Sequence, residues 1–348
     1  MQKGLEMMAR ADLLKKIFRG YMLGDRQMFT EAANDIIDEE RKKAHVILAN
    51  ELTRILENGK PLTTGGAFYP LEPLPKDVDR GTELLEVRQP DRYLDDLILL
   101  PEQRECLEEV AHEFRGWDIL EANGLRPRHK LLFCGPPGCG KTASAEALSS
   151  ELGIPLLYVR FDAVVSSLLG ETSANLRKVF EYAARGSWVL FFDEFDAIGR
   201  SRDDESEHGE LKRVVNSFLQ MLDRFAGRSL VIAATNFEQS LDPALWRRFD
   251  EIIRFDKPGI EQIAQLLRKK LASKGRADIS LDTFAGRLSG MSHAEIERIC
   301  FDVLRMTVLQ GASSYSLDDL MKVIKKQEGR KQLLKSIVDG EKPHIAKE

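Results

Sequence analysis

The chain has 348 residues, of which 43% are hydrophobic and 31% charged, with a formal net charge of −5. That length corresponds to about two to three domains, and that apolar content supports a buried core and excludes disordered and collagen-like classes. The acidic balance argues against a nucleic-acid-binding surface, which is normally basic. The longest apolar runs, Trp188 to Phe192 and Leu230 to Ala234, fall far short of the ~20 residues of a membrane helix.

Residues 1–58 predict a small helical domain, with Leu13, Leu14, Ile17, Phe18 and Tyr21 at helical spacing, followed by Ile36, Ile37, Ala44, Leu48, Leu52, Ile55 and Leu56. Thr30 is the expected cap of the second helix. The opening residues Met1 to Glu6 carry an acid and lack a signal peptide's apolar core. Residues 59–90 hold Pro61, Pro70, Pro73, Pro75 and Pro90 with four glycines, and predict a partly extended linker with a short strand at Leu84 to Val87.

Residues 91–258 alternate strand-like runs (Lys130–Cys134, Leu156–Phe161, Trp188–Phe192, Leu230–Thr235) with helical segments (Thr142–Leu152, Thr172–Arg185, Glu210–Phe225). Such alternation predicts βαβ units on a parallel sheet, an α/β class. Residues 259–327 lose the strands and predict an all-helical domain over Glu261–Ala272, Leu281–Leu288, Ser292–Leu309 and Leu317–Lys326, with a capping box at Ser292 and Glu295. From residue 328 to 348 a polar, loose tail is expected.

Chemistry concentrates in the α/β segment. Gly135-Pro136-Pro137-Gly138-Cys139-Gly140-Lys141-Thr142 is a complete GxxxxGK[ST] loop between a strand and a helix. Its glycines let backbone N–H groups turn inward around phosphate oxygens, and the helix N-terminus adds partial positive charge. Lys141 is placed to reach the β- and γ-phosphates and Thr142 to ligate Mg²⁺. Trp188-Val189-Leu190-Phe191-Phe192 ends in Asp193-Glu194. These acids sit at a strand's carboxyl end, where Asp193 suits the magnesium shell and Glu194 suits general-base activation of water. Asp196 reads as structural or inter-subunit rather than catalytic. Asn236 closes the next apolar run, and Arg247-Arg248 supply cations of the kind that stabilise charge developing in phosphoryl transfer. Cysteines 106, 134, 139 and 300 share no C-x-x-C spacing and predict reduced thiols in a cytoplasmic protein, and the six histidines form no H-E-x-x-H.

Residues 95–327 resemble an AAA ATPase of the subfamily with a second region of homology. The resemblance is carried by the phosphate loop, by Gly170 to Arg177, by Asp193-Glu194, by Thr235-Asn236, by Asp242 to Asp250, and by Gly290 to Ile296. It implies a P-loop core followed by a helical lid. The nucleotide set it implies is Pro137, Gly138, Cys139, Gly140, Lys141, Thr142 and Ala143, with Asp96, Ile98 and Ala294 around the adenine. It makes Asn236 a sensor, makes Arg247 and Arg248 fingers acting on a neighbour's ATP in a hexameric ring, and makes Val164 to Leu169 a pore loop. Two positions depart from the family: Ser167-Leu168 replaces the usual lysine–aromatic pair of that loop, and His293-Ala294-Glu295 stands where many relatives have Gly-Ala-Asp. The function implied is ATP-driven remodelling or threading of a protein substrate, with a separate subtilisin-like protease effector in anti-phage defence as its more specific form. The competing readings are a nucleic-acid motor or loader, which the acidic balance disfavours, and a nucleotide-dependent scaffold without turnover, which the intact Lys141, Glu194, Asn236, Arg247 and Arg248 disfavour.

Overall fold

The computed structural model describes residues 13, 15–16, 26–42, 49, 72–77, 79–165, 169–195, 205–236, 246–272 and 281–338. Asp196, residues 166–168 and 242–245, residues 339–348, and most apolar positions of residues 1–25 and 43–58 lie outside these. The elements in chain order are α1 (Arg26–Lys42), β1 (Leu85–Arg88), α2 (Pro101–Arg115), α3 (Trp117–Ala122), β2 (Lys130–Cys134), α4 (Lys141–Leu152), β3 (Leu156–Val159), α5 (Phe161–Val164), α6 (Leu169–Ala184) and β4 (Val189–Phe192). They continue with α7 (Glu205–Arg224), β5 (Leu230–Thr235), β6 (Glu251–Arg254), α8 (Ile260–Leu271), α9 (Asp282–Ala285), α10 (His293–Leu309) and α11 (Leu317–Val338). No helix among the described residues is long and apolar enough to cross a membrane.

The chain divides into two compact units. One contains residues 1–97, 101–134 and 141–254, and the other residues 98–100, 135–140 and 255–348. The first is built on a six-stranded sheet in the order β1-β3-β4-β5-β2-β6. Only β1 pairs antiparallel, with Leu85 opposite Val159; the other pairings are parallel. All four residues of β4 and all six of β5 are buried, as near-continuous apolar runs require when helices cover both faces of a parallel sheet. This is the expected α/β core.

The core of this unit is rich in rings. Phe192 at the end of β4 stacks on Phe180 of α6 at 5.5 Å and meets Phe218 of α7 edge-on at 5.1 Å, and Phe195 lies 4.5 Å from Phe218. Edge-to-face and offset arrangements at these distances are the favoured ones for aromatic quadrupoles.

Four features differ from the sequence reading. The helix expected to begin at a Thr30 cap starts at Arg26, because Arg26-Gln27-Met28 are good helix formers; Thr30 lies inside it. The stretch read as linker to residue 90 is part of the sheet unit from residue 72. Leu84 and Leu85 are buried, and the short strand expected over Leu84 to Val87 forms as β1, which closes the sheet edge. Residues 72–77 run along α6 through bonds from Asn175 Nδ2 to Asp77 Oδ2 (2.6 Å), Lys178 Nζ to the Lys76 carbonyl (3.0 Å) and Arg185 to Glu72 Oε2 (2.7 Å). Strand β6 has no counterpart in the reading, since two of its four residues are charged. Lastly, α11 continues to Val338 where a loose tail was expected; Lys, Gln, Glu and Leu sustain it through Gly329.

The second unit is helical. Ile263 and Leu267 of α8, Leu288 of a 3₁₀ turn, then Ile296, Ile299 and Val303 of α10, and Leu320 and Ile324 of α11 form its core. Ser292 caps α10 through the expected box: Glu295 N–H donates to Ser292 Oγ (3.3 Å) and Ser292 N–H donates to Glu295 Oε2 (2.7 Å).

Phe218 is fully buried among Phe180, Phe192 and Phe195. Replacing it with alanine removes the ring against which the end of β4 rests. The expected loss is ~3–5 kcal/mol, read as a lower urea midpoint of the sheet unit's tryptophan signal. An unchanged midpoint would contradict this packing.

Candidate active site

The polar residues of interest in the sheet unit lie at the carboxyl ends of its central strands. β2 leads through residues 135–140 into Lys141, the first residue of α4. Lys141 is buried, and its Nζ donates to Asn236 Oδ1 at 2.8 Å. Asn236 directly follows β5. Thr142 Oγ1 donates to Asp193 Oδ2 at 2.8 Å, and Asp193 Oδ1 accepts the backbone N–H of Glu194 at 3.0 Å. Residues 141, 142, 193 and 236, separated by up to 95 positions in sequence, are thus brought into two direct hydrogen bonds. The parallel register explains this: β2, β5 and β4 are neighbours in the sheet, so their ends meet on one side.

Asp193-Glu194 is held by the apolar residues on either side, since Phe192 and Phe195 are both buried. Glu194 has φ +50°, the one described non-glycine residue with positive φ. A left-handed non-glycine residue is strained by ~1 kcal/mol or more. The aromatic anchors hold that conformation, leaving the Glu194 side chain exposed.

Arg247-Arg248 has the same construction. Trp246 packs against the core, Phe249 is buried, and the two arginines lie between them. The segment is tied to the sheet by Asp250, whose Oδ2 accepts the N–H groups of His129 (2.9 Å) and Lys130 (3.0 Å) while its own N–H donates to the Lys130 carbonyl (2.8 Å). Arg248 Nε reaches Asp223 Oδ2 at 3.3 Å, whereas Arg247 is exposed. In the sequence Asp250 marks only the end of this segment. Its role as a clasp depends on β6 placement, which the sequence does not signal.

In the helical unit, residues 135–140 form a loop with glycine at three positive-φ positions, Gly135, Gly138 and Gly140 (φ +104°). Gly135 has φ +134°, and a Cβ there would lie 2.1 Å from the Phe255 carbonyl oxygen. Gly138 has φ +73°, and a Cβ there would lie 3.0 Å from Ser292 Oγ. Pro137 and Gly138 are exposed and Cys139 is buried. Ala294 N–H donates to the Gly138 carbonyl at 3.0 Å, so two of the expected nucleotide residues meet directly. Ala143, just past the loop in α4, is half-buried. Ile98 packs against the core of the helical unit. Asp96 belongs to the sheet unit, where its Oδ2 accepts the Tyr93 N–H at 3.0 Å and caps a 3₁₀ turn. That carboxylate serves the local backbone. The four cysteines form no disulfide. Burial pushes the Cys106 thiol up to about 11 and the Cys300 thiol up to about 12, which leaves both unreactive near neutrality.

Residues 131–257 match the profile of the ATPase family associated with various cellular activities (AAA). The uncharacterized AAA family ATPase y4kL of Sinorhizobium fredii is 40% identical over 328 residues, covering 93% of this chain and 97% of that protein. The chain belongs to the AAA family of ATPases. As an AAA ATPase it binds and hydrolyses ATP. The proteasome-activating nucleotidase of Saccharolobus solfataricus is 32% identical over 279 residues, covering 77% of this chain and 70% of that protein. The ATP-dependent zinc metalloprotease FtsH 3 of Sphaerobacter thermophilus is 33% identical over 251 residues, covering 70% of this chain and 51% of that protein.

Because Glu194 is strained where it stands, Glu194→Gly should raise stability by about 1 kcal/mol while abolishing turnover. Thermal melting and phosphate release on the same sample test this. A variant both less stable and inactive would contradict the strain.

Proposed function

We propose that this AAA ATPase uses ATP hydrolysis in a homo-oligomeric ring, a hexamer by family resemblance, to remodel or thread a protein substrate in the cytoplasm. The observation that carries the hydrolytic site is the pairing of Lys141 with Asn236 and of Thr142 with Asp193 at adjoining strand ends. Lys141 holds the β- and γ-phosphates. Glu194 accepts a proton as water attacks the γ-phosphorus and the bond to ADP breaks, and Asn236 orients that water. The oxygens of Thr142 and Asp193 are the hard donors that Mg²⁺ takes, and they fit its shell. Magnesium there supplies charge neutralisation on the phosphate oxygens.

Arg247 is the outward-facing finger, since it is exposed while Arg248 engages Asp223. A finger that stabilises charge on a neighbouring subunit's γ-phosphate makes each site depend on assembly. The protein substrate is supported by relatives whose names are a proteasome-activating nucleotidase and an ATP-dependent metalloprotease. This sequence has no H-E-x-x-H of its own. A subtilisin-like protease partner and a defence role have no support among the relatives named above or the described residues.

Arg247→Ala should lower turnover by ~10³-fold or more, with ATP affinity little changed, and Arg248→Ala should cost less. Mixing Arg247→Ala subunits into wild-type protein should lower activity more than dilution predicts. Activity falling in simple proportion would place the arginine in its own subunit's site.

A further inference from the structure

Lys141, Thr142, Asp193 and Asn236 all follow the carboxyl ends of β2, β4 and β5. Arg247-Arg248 are anchored at the other end of the sheet. Asp250, directly before β6, accepts the N–H groups of His129 and Lys130 at the amino end of β2, and β6 runs parallel to β2 from there. Arg248 meets Asp223 in the last turn of α7, the helix that leads into the amino end of β5. Strand β2, five residues and about 16 Å long, separates these anchors from the Lys141 of the same subunit.

The donors that Asp250 engages are themselves held still. The His129 ring is buried beside Trp117 (5.5 Å) and Phe225 (6.3 Å), and its Nδ1–H donates to the Pro127 carbonyl at 3.0 Å. The residues on either side of this contact are braced as well. Arg128 Nη1 donates to Glu251 Oε1 at 2.6 Å, while its Nε donates to Glu113 Oε1 and its Nη2 to Glu109 Oε2, both at 2.9 Å and both on α2. Charge-assisted bonds of this kind are the strong ones. Two successive residues, Asp250 and Glu251, are thus pinned to three others, Arg128 to Lys130, immediately after the exposed arginine pair. A group that must meet a developing charge gains from being fixed beforehand, since its ordering then costs nothing at the moment of reaction. We infer that Asp250 is a positioning residue for Arg247 and Arg248: its bonds to the start of β2 set the pair at the end of the sheet remote from the subunit's own phosphate-binding residues, where it serves the γ-phosphate of a neighbour. The inference deepens the finger reading and rests on it.

The test is phosphate release from ATP by full-length variants, alone and in equimolar mixtures, at a concentration where the wild-type rate per subunit has levelled off. Alone, Asp250→Ala should lower kcat by ~10²-fold, the cost of loosening a group that must meet the reacting atoms, with KM for ATP unchanged. Asp250→Asn, which keeps an acceptor oxygen for both N–H groups, should recover most of that rate. Mixed with Glu194→Gln, which lacks the general base but keeps its arginines, Asp250→Ala should regain activity above that of either variant alone, because its own site is intact and the Glu194→Gln neighbour supplies the finger. A merely structural role would not produce that recovery. The double variant Arg247→Ala/Arg248→Ala mixed with Glu194→Gln is the reference. Recovery in the reference mixture but not with Asp250→Ala would overturn the inference and leave the finger reading standing. No recovery in the reference mixture would overturn the finger reading, and the inference with it. An unchanged kcat in Asp250→Ala, or an asparagine variant as slow as the alanine one, would also overturn the inference. Should Asp250→Ala fail to fold, Asp250→Glu, which displaces the same carboxylate by one methylene, takes its place alone and in the mixture, with the same readings.

Discussion

Burial of β2, β4 and β5 is the constraint on which the rest of the sheet unit depends. These strands are apolar almost throughout and are covered on both faces, so they can occupy only the middle of a helix-flanked sheet. Their parallel direction then forces every chain segment that leaves them to emerge on the same side. Lys141, Thr142, Asp193 and Asn236 come together because of that geometry. Their two hydrogen bonds are a consequence of the packing and contribute little to holding the sheet.

The same physics is used at smaller scale to hold charge at the surface. Phe192-Asp193-Glu194-Phe195 and Trp246-Arg247-Arg248-Phe249 share a pattern in which two charged residues stand between two aromatic anchors. Each anchor buries enough area to fix its backbone, and the charged pair between them cannot follow it inside, because an unpaired charge is too costly to bury. Rigidity is thereby given to groups that must stay in contact with water or ligand. At Glu194 it extends to a backbone conformation the residue does not favour, a strain held by its neighbours.

Much of this was legible in the sequence, for reasons that particular residues show. Lys130–Cys134 and Leu230–Thr235 coincide with strands β2 and β5 because an unbroken apolar run beside a glycine turn or an Asn stop has few alternatives. The loop at Gly135–Thr142 was readable because its glycines are demanded by local geometry, at Gly135 most plainly. What escaped were features set by distant pairing. Strand β6, Glu-Ile-Ile-Arg, has no pattern of its own and exists because β2 offers an edge. Asp250 acquires a role only when that strand brings it to His129 and Lys130. Residues 72–77 read as linker because prolines and polar side chains mark them, yet α6 supplies them with partners. The extension of α11 past residue 328 shows composition misleading in the other direction: a polar stretch reads as loose although its residues are good helix formers.

The central claim is that ATP is hydrolysed at Glu194 in a site completed by a neighbouring subunit. Specific ATPase activity measured against protein concentration, with Glu194→Gln as the blank, tests it most directly. The account predicts a rate per subunit that rises steeply with concentration and then levels off as the ring fills. A Glu194-dependent rate that stays constant down to concentrations where the protein sediments as a monomer would contradict it.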